Sequence, residues 1–301
     1  MKLVLYKNRI SVQFLILSIF ILLSCSNDND NNVEGSIFIP DVNFESILIN
    51  QGIDSDGVIN QQILQSDALK ITTLDLSILK VNDINNLTGI EGFINLKKLN
   101  ASLHNINEID LSANIALEFL NLSGNQISNI DVSNNTNLIF LELISNNLTS
   151  ITGLSNASIL KDLDLSWNYF EELTITNESL VILHMSHNDL KFLNTDGLTN
   201  LKHVFVPSNK LEIVDFSTNT ALETLLMAGN NLENINLENN SNLTHFYVAG
   251  NALKSLDVSN NEKLIDLRVD RNPELTCIKI QNNQNPFVMK SDYQELNLNC
   301  N

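Results

Sequence analysis

From Leu96 onward the apolar residues keep one repeating order. Leu117-Glu-Phe-Leu120-Asn-Leu122-Ser-Gly-Asn125-Gln-Ile127 and Leu138-Ile-Phe-Leu141-Glu-Leu143-Ile-Ser-Asn146-Asn-Leu148 both read L-x-x-L-x-L-x-x-N-x-[IL]. The frame recurs from Leu160, Leu180, Leu201, Leu222, Leu243 and Leu264, with steps from Leu96 of 21, 21, 22, 20, 21, 21, 21 and 21 residues. An earlier unit, Ile71-Thr-Thr-Leu74-Asp-Leu76, lies 25 residues before Leu96 and brings the visible coils to ten. A fixed period of this length predicts a solenoid.

The alternation within each unit gives the local structure. Side chains of a strand point to opposite faces in turn, so Leu120 and Leu122 enter the coil while Phe119, Asn121 and Ser123 face outward. Parallel strands spaced about 4.8 Å apart would carry ten coils over roughly 48 Å. One coil cannot bury its leucines alone, and stacking does so. Asn125, Asn146, Asn168, Asn188, Asn209, Asn230, Asn251 and Asn272 fall where each strand turns inward, a place for amides that satisfy the backbone of neighbouring coils. His104 holds that position in its own coil. The return halves, such as Ile130-Asp131-Val132-Ser133-Asn134 and Leu256-Asp257-Val258-Ser259-Asn260, are too short for a long helix. They predict extended or 3₁₀ segments on the convex side.

This pattern resembles the leucine-rich-repeat proteins, in particular the short-repeat, internalin-like lipoproteins of Bacteroidota. Further echoes are Ile39-Pro40-Asp41-Val42-Asn43-Phe44, Leu87-Thr88-Gly89-Ile90-Glu91-Gly92-Phe93 and Asn272-Pro273-Glu274-Leu275-Thr276-Cys277. The resemblance covers residues 38–301 and implies a β-rich horseshoe with a parallel concave sheet. Repeats are expected over 71–276. Open solenoid ends need covers, so 38–70 is read as an N-terminal cap and 277–301 as a C-terminal one. In the first, short helices are expected after Pro40, with Phe44, Ile47 and Leu48 on one face, and around Gln61–Ser66 with Ile63 and Leu64. The second has lost the repeat.

The ends place the chain at the cell envelope. Lys2, Lys7 and Arg9 precede an apolar run from Ile10 to Leu23, the signature of an export signal, shorter than the about 20 residues of a membrane span. Leu22-Leu23-Ser24-Cys25 resembles the lipobox of bacterial lipoproteins, which implies cleavage of 1–24 and lipidation of Cys25. Residues 25–37 read as a flexible acidic tether, and the tract after Cys25 also resembles a surface-export signal. The expected location is the outer membrane, at the cell surface, with the lipid as the sole membrane contact. Cys277 and Cys300 then remain, as one disulfide or as two buried thiols, and export favours the disulfide.

Charge narrows the partners. The chain carries 17 basic and 35 acidic residues, net −18; losing the three basic residues of the leader leaves 14 against 35, near −21. Such a surface repels nucleic-acid phosphates. No nucleophile elbow, zinc-binding helix motif or phosphate loop occurs, and the chain reads as a binding scaffold without enzymatic chemistry or cofactor. Asp54-Ser55-Asp56-Gly57-Val58-Ile59 has a calcium-loop look, but Gly52 and Ile63 stand where end carboxylates belong, and the segment reads as a turn.

The outward positions are not uniformly polar. Phe119, Phe140 and Ile144 form one cluster. Ile182, His184, His203, Phe205, Leu226, His245 and Tyr247 form a second, with Trp167 and His187 beside them, and Asp162 and Asp164 divide the two. Exposed contiguous apolar surface marks interaction sites, although cross-strand packing is the simpler use of such pairs. From these, Phe119, Phe140, Trp167, His184, His203, Phe205, Leu226, His245 and Tyr247 are the expected ligand-binding residues. The partner is expected to be a protein or surface ligand in adhesion or recognition, with glycan capture or an envelope-assembly role as alternatives. His184, His203 and His245 lack an evident set of adjacent metal ligands.

Overall fold

The computed structural model describes residues 35–77 and 84–300. The leader, Cys25 and most of the tether therefore lie outside the described residues. Among the described residues no helix is long and apolar enough to cross a membrane.

Eleven parallel three-residue strands form the concave sheet, beginning at Thr73–Asp75 and Lys98–Asn100 and ending at Asp266–Arg268 and Phe287–Met289. Register is strict: Leu99, Leu120, Leu141, Leu163 and Leu183 oppose one another in sequence. These central residues are fully buried, because each coil's leucine can leave water only against the coil on either side. The solenoid is thus the ten-coil pattern of the sequence with one further coil.

The last coil extends the stack beyond the leucine frame. The leucine frame ends at Leu264, yet Phe287–Met289 still pairs with Asp266–Arg268, and Glu295–Asn297 pairs in parallel with Cys277–Lys279 on the opposite side. Backbone pairing continues after the sequence repeat has stopped, because a strand needs an edge to add to rather than a leucine pattern. Cys277 and Cys300 are disulfide-bonded across 5.8 Å between Cα atoms and fasten this coil. Closing a loop of that size stabilises a fold by roughly 3 kcal/mol on the chain-entropy model.

The N-terminal cap also differs in one element. The first helix is Val42–Asn50, capped by Asp41, whose carboxylate accepts from the amides of Asn43 and Phe44, and it buries Phe44, Ile47 and Leu48. Ile63 and Leu64, expected on a second helix, lie instead in the strand Gln62–Leu64, antiparallel to Ser36–Phe38; the helix is the shorter Gln65–Ala68. Ile63 is buried between two half-exposed neighbours, the alternation of a strand. The second oxygen of Asp41 accepts from the amides of Asn85 and Asn86, tying cap to first coil.

Two asparagine ladders run through the stack. In the first, Asn209 donates from Nδ2 to Met185 O at 2.8 Å and Val206 O at 3.1 Å, and its Oδ1 accepts from Leu190 N at 3.1 Å. The expected ladder residues repeat this geometry, coil to preceding coil. His104 substitutes within it, with Nε2 3.1 Å from Leu76 O and Nδ1 facing Ile84 N at 3.5 Å. A second ladder on the return side, Asn114, Asn135, Asn177, Asn219, Asn240 and Asn261, is buried and was not anticipated from the sequence. Asn240 Nδ2 donates to Phe216 O and Asn219 O, both at 3.0 Å. Gln284 and Gln294 take over in the last coil.

The return halves are short, as expected. Ile90–Gly92 and Leu154–Asn156 are 3₁₀ turns. Glu172–Thr174 pairs with Phe192–Asn194, and a three-stranded sheet closes the convex side at the C-terminal end.

Candidate functional site

The concave sheet presents its outward side chains in rows. Ile182, His203, Thr224, His245 and Asp266 are in register along one row; Asp164, His184, Phe205, Leu226, Tyr247 and Arg268 form the next. Most are half-buried by their neighbours. The rows bring the second expected cluster together and keep Phe119 and Phe140 apart from it. Those two rings stand on adjacent strands, 6.2 Å apart and tilted.

At the centre lies a stacked pair. The His184 imidazole is stacked nearly parallel to Phe205, 4.4 Å between centroids and 8° between planes. One turn toward the rim, Trp167 stacks on His187 at 3.8 Å and 18°. Both rim residues have left-handed backbone, φ 59° and 53°. This is the position immediately before each ladder residue, held elsewhere by Gly124, Gly229 and Gly250, by Ser145 and Ser208, and by the larger Leu103 and Arg271. A large side chain there carries a conformational cost of order 1–3 kcal/mol. Trp167 nevertheless leaves 55% of its surface exposed. His187 was visible only as a neighbour in the sequence; the usable signal was an aromatic ring at this slot in two successive coils.

Further along, Tyr247 is already engaged. Its hydroxyl donates to Asp266 Oδ2 at 2.7 Å, and the Arg268 guanidinium lies 4.1 Å above its ring while pairing with Asp266. Burial, with the hydrogen bond to Asp266, raises the phenol pKa. His245 Nδ1 meets Thr244 Oγ1 at 2.9 Å. Leu226 bridges Phe205 and Tyr247 across the sheet. The histidines His184, His203 and His245 are spread over three strands and two rows. Among the described residues no group of three or more His, Cys, Asp or Glu side chains is arranged to hold a metal ion.

Between the two clusters lie Asp162, Asp164 and Glu142, the last two in register. Burial raises the pKa of Glu142, aided by repulsion from Asp164 and Asp162. Burial also raises that of Asp162, and the nearby His184 pulls the other way. A carboxyl whose pKa is raised by folding gives stability below the ordinary carboxylate range, and that stability is lost as pH rises through the raised value. Asp162→Asn is therefore expected to melt above the wild type at pH 7, with the gap closing as pH falls toward about 4. Thermal melts across that range decide it, since a gap independent of pH would exclude charge as the cause.

No family model and no curated protein matches the chain. Solved structures do. The functional domain of InlJ from Listeria monocytogenes, which includes a cysteine ladder, is 26% identical over 81% of this chain, with a TM-score of 0.71. This chain spans 56% of that domain's length. YopM, a leucine-rich effector of Yersinia pestis, gives a TM-score of 0.56 at 21% identity, covering 85% of this chain and 62% of its own. The ectodomain of the receptor kinase GASSHO1/SCHENGEN3 from Arabidopsis thaliana, solved with CASPARIAN STRIP INTEGRITY FACTOR 2, gives 0.51 at 21% identity, covering 64% and 31%. All three are leucine-rich-repeat proteins, and the fold of this chain is a leucine-rich-repeat solenoid.

Proposed function

We propose that the chain is a lipid-anchored module of the cell envelope that recognises a protein ligand through its concave face, in adhesion or a related protein–protein interaction. The observation that carries this reading is the aromatic ledge of Trp167, His187, His184 and Phe205. Two stacked pairs lie on neighbouring coils, one of them held exposed on left-handed backbone that only the glycines of other coils adopt without cost. Aromatic surface of this kind, partly desolvated by neighbours, is where interface energy concentrates. Solenoids of this architecture serve in general as binding scaffolds. Lipidation of Cys25 and display at the outer face follow from the leader and tether, and the acidic surface leaves nucleic acid out.

The ledge is tested with the soluble chain, labelled and bound to intact cells. Trp167→Ala and Phe205→Ala are each expected to weaken binding about 30-fold, the equivalent of a 2 kcal/mol hot spot. Ile213→Ala, at an apolar position 76% exposed on the return side, should bind as the wild type does. Equal binding by all three variants would remove the concave face from the reading. Competition by free oligosaccharide would favour glycan capture, for which the open face of Trp167 beside Asp162 and Asp164 is the supporting arrangement. Protease treatment of intact cells locates the module: digestion places it outside, and protection places its partners in the periplasm.

A further inference from the structure

The N-terminal cap contains buried carboxylates that its own hydrogen bonds do not satisfy. Asp54 is only 3% exposed; the Asp56 amide approaches its carboxylate, but neither oxygen has a hydrogen bond of full geometry. Glu45, on the helix Val42–Asn50, is fully buried. Its Oε1 accepts from Asn60 N at 2.8 Å and Gln62 N at 3.2 Å, while Oε2 has no partner. Three acceptor oxygens are thus open, two on Asp54 at the start of the loop that runs to Gln62 and one on Glu45, which bonds that loop from the helix.

Their surroundings add negative charge. Asp56 and Asp67 lie close enough to repel the Asp54 charge, as Glu45 does, and burial, the largest influence, also raises its pKa. Asp56 is occupied by Val58 N and Asn60 Nδ2, and Asp67 by Ser55 and Lys70. Lys70 itself is 70% exposed. An unpaired buried acceptor costs about 1–3 kcal/mol, and more when charged. One proton on Asp54 would serve at most two of the three open oxygens. A cation ringed by oxygen serves all of them.

We propose that the cap holds one calcium ion between Asp54 and Glu45. Calcium fits the donor chemistry: oxygen ligands only, six to eight of them, with loop carbonyls and water accepted beside carboxylates. Both acids face this loop, Asp54 from within it and Glu45 through Asn60 N and Gln62 N, and loop carbonyls and water would complete the shell. The sequence reading missed this because it sought the closing carboxylate at Ile63, downstream of Asp54-Ser55-Asp56-Gly57. Glu45 supplies it from the preceding helix. The ion would pin the loop to the helix that covers the first coil.

The test uses the purified full chain, stripped with chelator and titrated with calcium chloride. The expected result is one saturable site per chain in calorimetry, with a dissociation constant near 10⁻⁴–10⁻³ M as in extracellular modules, and a melting temperature that climbs with calcium concentration. Asp54→Asn and Glu45→Gln should each weaken binding at least tenfold, while Asp110→Asn, an exposed acid elsewhere, should not. Hydrogen exchange of the wild type covers the case in which the variants fail to fold: calcium should slow amide exchange over residues 54–62. No saturable heat with an unchanged melting temperature overturns the proposal, as does a site that survives both substitutions, or exchange slowed only outside the loop.

Discussion

Gly153→Ala is expected to destabilise the solenoid by about 2–5 kcal/mol, the sum of a left-handed backbone penalty and overpacking. Gly153 precedes the 3₁₀ turn Leu154–Asn156 with φ 77°. A Cβ there would sit against the amide nitrogen, Cα and Oγ of Ser133, well inside van der Waals contact. The Ser133 backbone cannot yield easily, because the coil below is bound to the coil above on both sides of the contact. Val132 N donates to Thr152 O and Thr152 N to Ile130 O, each at 3.0 Å. Urea unfolding measures the loss. A change below about 1 kcal/mol would mean that the two coils separate there at little cost, contrary to the packing described.

Asn209→Ala is expected to cost roughly 1–3 kcal/mol, through a different route. It removes two donors and one acceptor at once; Met185 O and Val206 O keep the amides of Asn188 and Asn230, so Leu190 N is the group left facing a dry cavity. Each stranded buried group costs about 1–3 kcal/mol, with partial relaxation. The companion substitution is His104→Asn, which places the common ladder residue where imidazole now makes analogous contacts, and it should leave stability within about 1 kcal/mol. Calorimetry on both separates a ladder that bears load from one that merely fills space. Near-neutral behaviour of Asn209→Ala would assign the hydrogen bonds to passengers of the leucine stack.

The two substitutions also show what the sequence disclosed. The first ladder was legible because its asparagines sit beside the strand leucines in a frame that repeats at almost constant step. The second was not, although Asn135, Asn219 and Asn240 are as deeply buried. Its register is broken by Ala157 and Leu198, and its neighbours are asparagines on the surface, so composition hides it. Concave rows followed directly from the alternation of strand side chains. What alternation cannot give is pairing within a row: Tyr247 looked as free as Phe205, yet Arg268 and Asp266 occupy it, whereas His184 lies open upon Phe205. The cap was least legible, since Ile63 and Leu64 fit a helical face as well as a strand and the loop amides of Asn60 and Gln62 find their acceptor, Glu45, in an earlier element.

Each ladder asparagine reaches only the coil immediately before it, so a coil is a complete unit of exchange. In-frame duplication or loss of about 21 residues between the first coil and Leu160 would leave every amide with a carbonyl to meet and both caps untouched. The Trp167 ledge would then move relative to the cap in increments of about 4.8 Å. Recombination between repeats would thus alter the reach of such a module without redesigning its surface.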